Sequence, residues 1–209
     1  MYKVYIENNV ILFVEQEPTD PENEALRIHI NSNDTFSITK LLQKLQFTKK
    51  LYLISDDSAA LFEQFCSSLR FIEAGGGWVT DRSDRILMIF RNGKWDLPKG
   101  KREVGEAIDI CAVREVSEEC ALAQQDLKCG ELLTQTFHCY QMHGEWIVKR
   151  TSWFRMYYQG EATPAPQTVE GITKAEWVPR GQAEELLSGT YGTIRDVFHA
   201  AVAYEKKQS

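Results

Sequence analysis

Between Glu106 and Cys120 the chain reads EAIDICAVREVSEEC, a stretch free of Gly and Pro and rich in helix formers, so a helix is expected to begin near Glu106. Its second half sets Glu115, Glu118 and Glu119 within about one turn, with Arg114 beside them. Like charges at i and i+4 repel by roughly 0.2–0.5 kcal/mol per pair, and neighbouring carboxylates resist ionising together. The C-terminal half of a helix disfavours negative charge as well. At about 100° per residue, Ile108, Ala112, Glu115 and Glu119 share one narrow strip, flanked by Cys111 and Glu118. A fold that accepts this packs the early turns on a sheet and extends the carboxylates over the same surface, against something positive. The ordinary use of a charge-rich helix face is solvation. Continuity with the apolar strip, and a loop bearing Pro98, Gly100 and Gly105 just ahead, favour a ligand instead. Oxygen-only donors suit Mg²⁺ or Mn²⁺, whereas zinc would want Cys or His.

The remainder organises around that helix. Residues 1–71 read as a small α/β domain of unassigned role, and 72–209 as the domain that carries the chemistry. In the first, KVYIENNVILFVE suits a hairpin about Glu7-Asn8-Asn9, ALRIHI and LYLIS suit strands, and two short helices follow with Ser37 and Asp57 or Ser58 as caps. In the second, Gly75, Gly76 and Gly77 mark a boundary or a close approach of backbones. A strand then leads to a turn at Asn92-Gly93, two longer strands meet near His143-Gly144, TPAPQ forms a loop, KAEWVP another strand, and two helices close the chain.

At 209 residues the chain is long enough to bury a substantial core. Its 24 Lys and Arg against 30 Asp and Glu leave a net charge of −6, which excludes a global basic field for nucleic acid. An anionic ligand therefore needs a bound cation or a few local basic side chains. Five cysteines, with no C-x-x-C pair, argue against a disulfide framework and a zinc site and fit a reducing compartment. No apolar run approaches the ~20 residues of a membrane span, and MYKVYIENNVILFVEQE lacks the unbroken core of a signal peptide. Cytoplasm is the expected location.

The spacing of Gly100, Glu106, Arg114, Glu115, Val116, Glu118, Glu119 and Leu122 resembles the Nudix box, G-x5-E-x7-R-E-U-x-E-E-x-G-U with U aliphatic. One position departs: Ala121 stands where the family has its last glycine. A left-handed exit from the helix there costs Ala roughly 1–2 kcal/mol. AGGGWV is similar to the family's opening strand, GKWDLPKG to the approach to its box, and VEGITKAEWVP to a late segment whose glutamate, here Glu170, approaches the metals. The resemblance implies an α/β/α sandwich on a mixed sheet, preceded here by the small α/β domain. It implies a hydrolase that cleaves a pyrophosphate bond in a nucleoside diphosphate linked to another group. Glu115, Glu118 and Glu119, with Gly100, would hold Mg²⁺ or Mn²⁺. Arg114 would orient Glu115 or anchor the box, Glu106 would brace the loop, and Glu115 or Glu170 would take the proton of the attacking water.

Arg91, Lys99, Lys149 and Arg150 lie in segments expected to edge the cleft and so to contact substrate. Tyr140 stands 18 residues past Leu122, similar to its place in members acting on dinucleoside polyphosphates, and KRTSWF resembles a strand of the dinucleoside polyphosphate and diphosphoinositol hydrolases. The proline of ADP-ribose members is absent between Gly100 and Thr163. The expected substrate is thus a dinucleoside polyphosphate. Alternatives are nucleoside triphosphate or ADP-ribose pyrophosphatase, or a non-catalytic nucleotide-binding regulator. The expected partner is a phosphorylated small molecule, with no membrane and no sequence-specific nucleic acid; a homodimer is compatible.

Overall fold

The computed structural model describes residues 1–19, 25–31 and 37–208. They gather into two compact units, Met1–Phe71 with Phe137–Lys149, and Ile72–Thr136 with Arg150–Ser209.

In the first unit, β1 (Tyr2–Ile6) and β2 (Asn9–Val14) form an antiparallel hairpin, in register from Tyr2↔Phe13 to Ile6↔Asn9. Glu7 turns it at φ 54°. Then come β3 (Leu26–His29), α1 (Ile38–Leu45), β4 (Lys50–Ile54) and α2 (Ser58–Ser67), with β4 running parallel between β2 and β3. Leu41 and Leu45, one helical turn apart, and Leu61, Phe62 and Phe65 bury against Val4, Ile11, Phe13, Leu51 and Leu53. Cys139 and Val148 join the same core. Asp57 caps α2, accepting the Ala60 N–H at 2.8 Å. Ser37 occupies the cap position of α1, but its hydroxyl makes no capping bond.

The second unit takes the parts within Ile72–Thr136 and Arg150–Ser209 of β5 (Arg70–Thr80), β6 (Ile86–Arg91), β7 (Lys94–Asp96), β8 (Lys99–Lys101), α3 (Ile108–Cys120), β9 (Leu127–Met142), β10 (Glu145–Tyr158), β11 (Ile172–Val178), α4 (Arg180–Leu186) and α5 (Gly192–Gln208). Its strands lie in the order β11-β6-β5-β10-β9. Asn92 and Gly93, at φ 53° and 76°, make the tight turn that folds β7 back on β6. Strand alternation divides the side chains between two faces. Val79, Leu87, Ile89, Phe154 and Met156 pack with Ala112, Val116 and Cys120 of α3. Trp78, Ile86, Met88 and Trp153 pack with Ile194, Val197, Phe198 and Ala201 of α5. At roughly 1.5–3 kcal/mol for each large apolar side chain buried, these two layers supply most of the favourable free energy of the unit. The result is the expected α/β/α sandwich, and parallel and antiparallel pairs together make the chain's strand pairing mixed.

The glycine run of β5 is a close approach. A Cβ on Gly75 would stand 2.6 Å from the Ala112 amide nitrogen and 2.8 Å from the Ile108 carbonyl oxygen, so α3 lies with its backbone directly on the strand. The helix starts two residues later than the sequence suggests, because the Glu106 carboxylate turns back into the loop. It accepts the Glu103 N–H at 3.0 Å and pairs with Arg114. Among the described residues no helix is long and apolar enough to cross a membrane.

Ala121 leaves α3 in the left-handed region, φ 53° and ψ 38°. The Leu122 N–H closes back to the Ser117 carbonyl at 3.2 Å, and the Ser117 hydroxyl donates to the Leu122 carbonyl at 2.6 Å. These bonds and the burial of Leu122 hold a conformation that Ala disfavours. Ala121→Gly is expected to stabilise the protein by about 1 kcal/mol, the relief of strain exceeding the added entropy of the unfolded chain. Urea unfolding of the two proteins checks it; a less stable variant would contradict the strain.

Candidate active site

The close seat of α3 on β5 and β8 carries Glu115 and Glu119 into the interior at the end of the helix's apolar strip. Glu119 has no exposed surface and Glu115 is buried. A buried carboxylate is costly unless its oxygens are bonded. One oxygen of Glu119 accepts the Lys99 main-chain N–H at 2.9 Å, and the other accepts Nη1 of Arg91 at 3.2 Å. Burial dominates even so and pushes the Glu119 carboxyl up to about 7, against the opposing pull of Lys99 and Arg91. Glu115 is likewise raised by burial, with Arg114 opposing. Its carboxylate lies where a Cβ on residue 100 would be: a side chain there would begin 1.9 Å from Glu115 Oε2, so only Gly100 leaves it room.

Arg114 binds this end of the helix to the loop before it. Nε and Nη2 donate to the two Glu106 oxygens at 2.8 and 2.9 Å, a bidentate pair. Nη1 reaches Glu115 at 2.8 Å and Glu118 at 3.0 Å, and Nη2 also donates to the Lys101 carbonyl at 3.1 Å. The guanidinium holds the Glu106 carboxyl down at about 2. Glu118 is about half exposed, as is Glu170, which lies 3.6 Å from Arg91 Nη1. Arg114 thus gathers Glu115 and Glu118, Arg91 gathers Glu119 and Glu170, and the adjacent residues Lys99 and Gly100 of β8 touch one set each.

Other residues singled out in the sequence have different neighbours. Lys99 turns its ammonium to buried Asp96 at 2.7 Å, so the main chain of residue 99, not its side chain, bonds to Glu119. Arg150 shares Glu73 with Arg102. Tyr140 and Lys149 belong to the first unit. Asp96 was not foreseen as a site residue; besides fixing Lys99 it accepts the Leu97 N–H at 2.8 Å, which stiffens the turn into β8. Nothing in its spacing marks it, because both partners lie within three residues in a short irregular stretch. Cys111 is buried beside Gly100 and Arg114, and burial pushes its thiol up to about 11, so it is no nucleophile.

The donors fit a hard divalent cation, being carboxylates in a cradle that a Cβ at residue 100 would fill. Among the described residues no three His, Cys, Asp or Glu groups stand close enough to enclose an ion.

Residues 71–199 match the model of the NUDIX domain. Among solved structures, the chain is similar to a MutT protein from Methanosarcina mazei Go1, with a TM-score of 0.52 and 19% identity over 66% of this chain and 97% of that one. An Ap4A hydrolase of C. elegans in a binary complex gives 0.52 and 16% over 65% and 98%. A NUDIX hydrolase from Nitrosomonas europaea gives 0.50 and 16% over 64% and 90%. At these identities the likeness is one of fold.

The raised Glu119 carboxyl sets a pH dependence for the metal-free protein. Between its ordinary value of 4.5 and about 7 the folded chain holds a proton that the unfolded chain has released. This contribution to stability therefore falls as pH rises through that window, by on the order of 3 kcal/mol. Glu106 acts oppositely and lower down, its contribution being lost as pH falls from 4.5 towards 2. Urea unfolding in EDTA at pH 5 and pH 8 should show wild type losing more stability than Glu119→Gln. Equal losses would contradict the assignment.

Proposed function

This chain belongs to the Nudix family, a pyrophosphohydrolase by that membership, and we propose that it hydrolyses a dinucleoside polyphosphate in the cytoplasm with Mg²⁺ or Mn²⁺. The observation that carries the reading is the pair of buried carboxylates, Glu115 and Glu119, seated against Gly100 and the Lys99 amide. Two acids buried on one helix face are a poor way to stabilise a fold, even with Arg114 and Arg91 beside them, and a good way to hold a metal.

Glu119 and Glu115 would be the main ligands of the cation, with Glu118 assisting and Gly100 leaving room for the Glu115 carboxylate. When bound, the ion lowers the pKa of a coordinated water and neutralises phosphate oxygens, which is the chemistry a charged phosphoanhydride needs. Arg114 fixes the Glu115 carboxylate from one side by donating to Oε1, while Oε2 lies against Gly100. Glu170, half exposed and across Arg91 from Glu119, is the base that removes the water's proton; Glu115 is the second choice, since a carboxylate on the metal is the weaker base. Arg91 and Lys99 meet the phosphates, and Arg150, in the same unit, contacts the remainder of the substrate. Support for a dinucleoside substrate comes from the position of Tyr140 and the missing ADP-ribose proline, and the C. elegans neighbour bears the name of an Ap4A hydrolase. Residues 1–71, gathered with Phe137–Lys149 into a unit of their own, have no assigned role.

A substrate panel tests this. Diadenosine tetraphosphate should be cleaved to nucleotides with no free pyrophosphate, EDTA should abolish turnover, and Glu119→Gln should lower kcat at least ~100-fold. Pyrophosphate release from ATP, or turnover of ADP-ribose alone, would assign the alternative substrate. No turnover of any of the three by wild type would leave a nucleotide-binding regulator.

A further inference from the structure

Two arginines neutralise the carboxylates of the site, and they are held very differently. Arg114 is anchored by Glu106, Glu115, Glu118 and the Lys101 carbonyl, partners on both the loop and the helix. Glu106 engages it through both oxygens, so loss of Glu115 to another cation leaves Arg114 in place. The ion pairs of Arg91, among the described residues, are with Glu119 at 3.2 Å and Glu170 at 3.6 Å, both through the same Nη1. Both of these partners are carboxylates that the proposed chemistry requires for other tasks. The second oxygen of Glu119 is already taken by the Lys99 amide, so the oxygen facing Arg91 is the one a divalent ion would claim. A dication and a guanidinium cannot share that oxygen in a poorly solvated site without strong repulsion.

From this geometry, and resting on the reading of Glu119 as a metal ligand, we infer that Arg91 is an exchangeable counter-ion. It neutralises Glu119 and Glu170 in the metal-free protein, yields Glu119 to the arriving cation, and in leaving frees Glu170 of its counter-ion. Arg91 is thus a positioning residue whose withdrawal couples metal entry to release of the base. The freed guanidinium sits at the end of β6, one-quarter exposed, and its planar fork matches the phosphate oxygens of a polyphosphate. Exchange of this kind has a definite thermodynamic sign. Because metal binds only the fraction of molecules in which Arg91 has withdrawn, the side chain weakens apparent metal affinity. An arginine that merely shaped the metal site would strengthen it.

Metal binding without substrate separates the two. Mn²⁺ titrated into full-length protein and followed by electron paramagnetic resonance should bind Arg91→Gln about 3- to 10-fold more tightly than wild type. Arg91→Lys, which keeps the charge, should stay within about twofold of wild type. Thermal unfolding supplies the folding control and a second readout. In EDTA, Arg91→Gln should melt below wild type, since Glu119 has lost its counter-ion, and saturating Mn²⁺ should narrow or close that gap. Equal or weaker Mn²⁺ binding by Arg91→Gln, with wild type binding normally, overturns the exchange and leaves the proposed function standing. Absence of Mn²⁺ binding in both proteins overturns the two together.

Discussion

Burying carboxylates on the apolar strip of α3 is the constraint that the catalytic unit is built around. Glu119 lies where the strip's next hydrophobic residue would otherwise be, and every nearby feature compensates for it. Gly75 lets the helix backbone touch β5, and Gly100 leaves the volume that the Glu115 carboxylate fills. The Lys99 amide and Arg91 satisfy the two Glu119 oxygens. Replacing such acids with leucine would suit the packing better. Their burial therefore costs the fold stability, and Arg114, Arg91 and the Lys99 amide offset part of that cost.

The same few residues hold carboxyl groups at opposite extremes. Bidentate contact with Arg114 keeps Glu106 ionised well into acid, while burial keeps Glu119 protonated towards neutrality. Environments that drive like groups apart in this way assign them different work. Glu106 is a permanent anion that braces the loop against the helix. Glu119 is an acid whose charge depends on what arrives beside it.

Much of this was legible in the sequence, and for identifiable reasons. The α3 strip, the Asn92-Gly93 turn and the His143-Gly144 turn are set by local periodicity and by residues that tolerate positive φ, so they could be read directly. Ala121 could be singled out because one residue broke an otherwise continuous pattern. The start of α3 was harder to place, since Glu106 answers to Arg114 eight residues further on rather than to helix propensity. Arg91 meets Glu119 through the fold of β6 beside the helix, and no spacing in the chain encodes a contact across 28 residues. Lys149 and Arg150 are adjacent in sequence, yet one belongs to the first unit and the other pairs with Glu73 in the second. Successive strand residues point to opposite faces, and which face is which depends on the assembled sheet.

The long hairpin of β9 and β10 has a consequence for how this chain can change over time. Its tip, Phe137–Lys149, contributes Cys139 and Val148 to the core formed by the first seventy residues, both without exposed surface. A fragment beginning at residue 72 would carry those side chains with nothing to cover them, and the N-terminal segment alone would lack two residues of its interior. The unit at the N-terminus is therefore interleaved with the catalytic sequence, not appended to it. A gene encoding this protein could neither shed the first part nor transfer it to another enzyme in one step without remaking the hairpin.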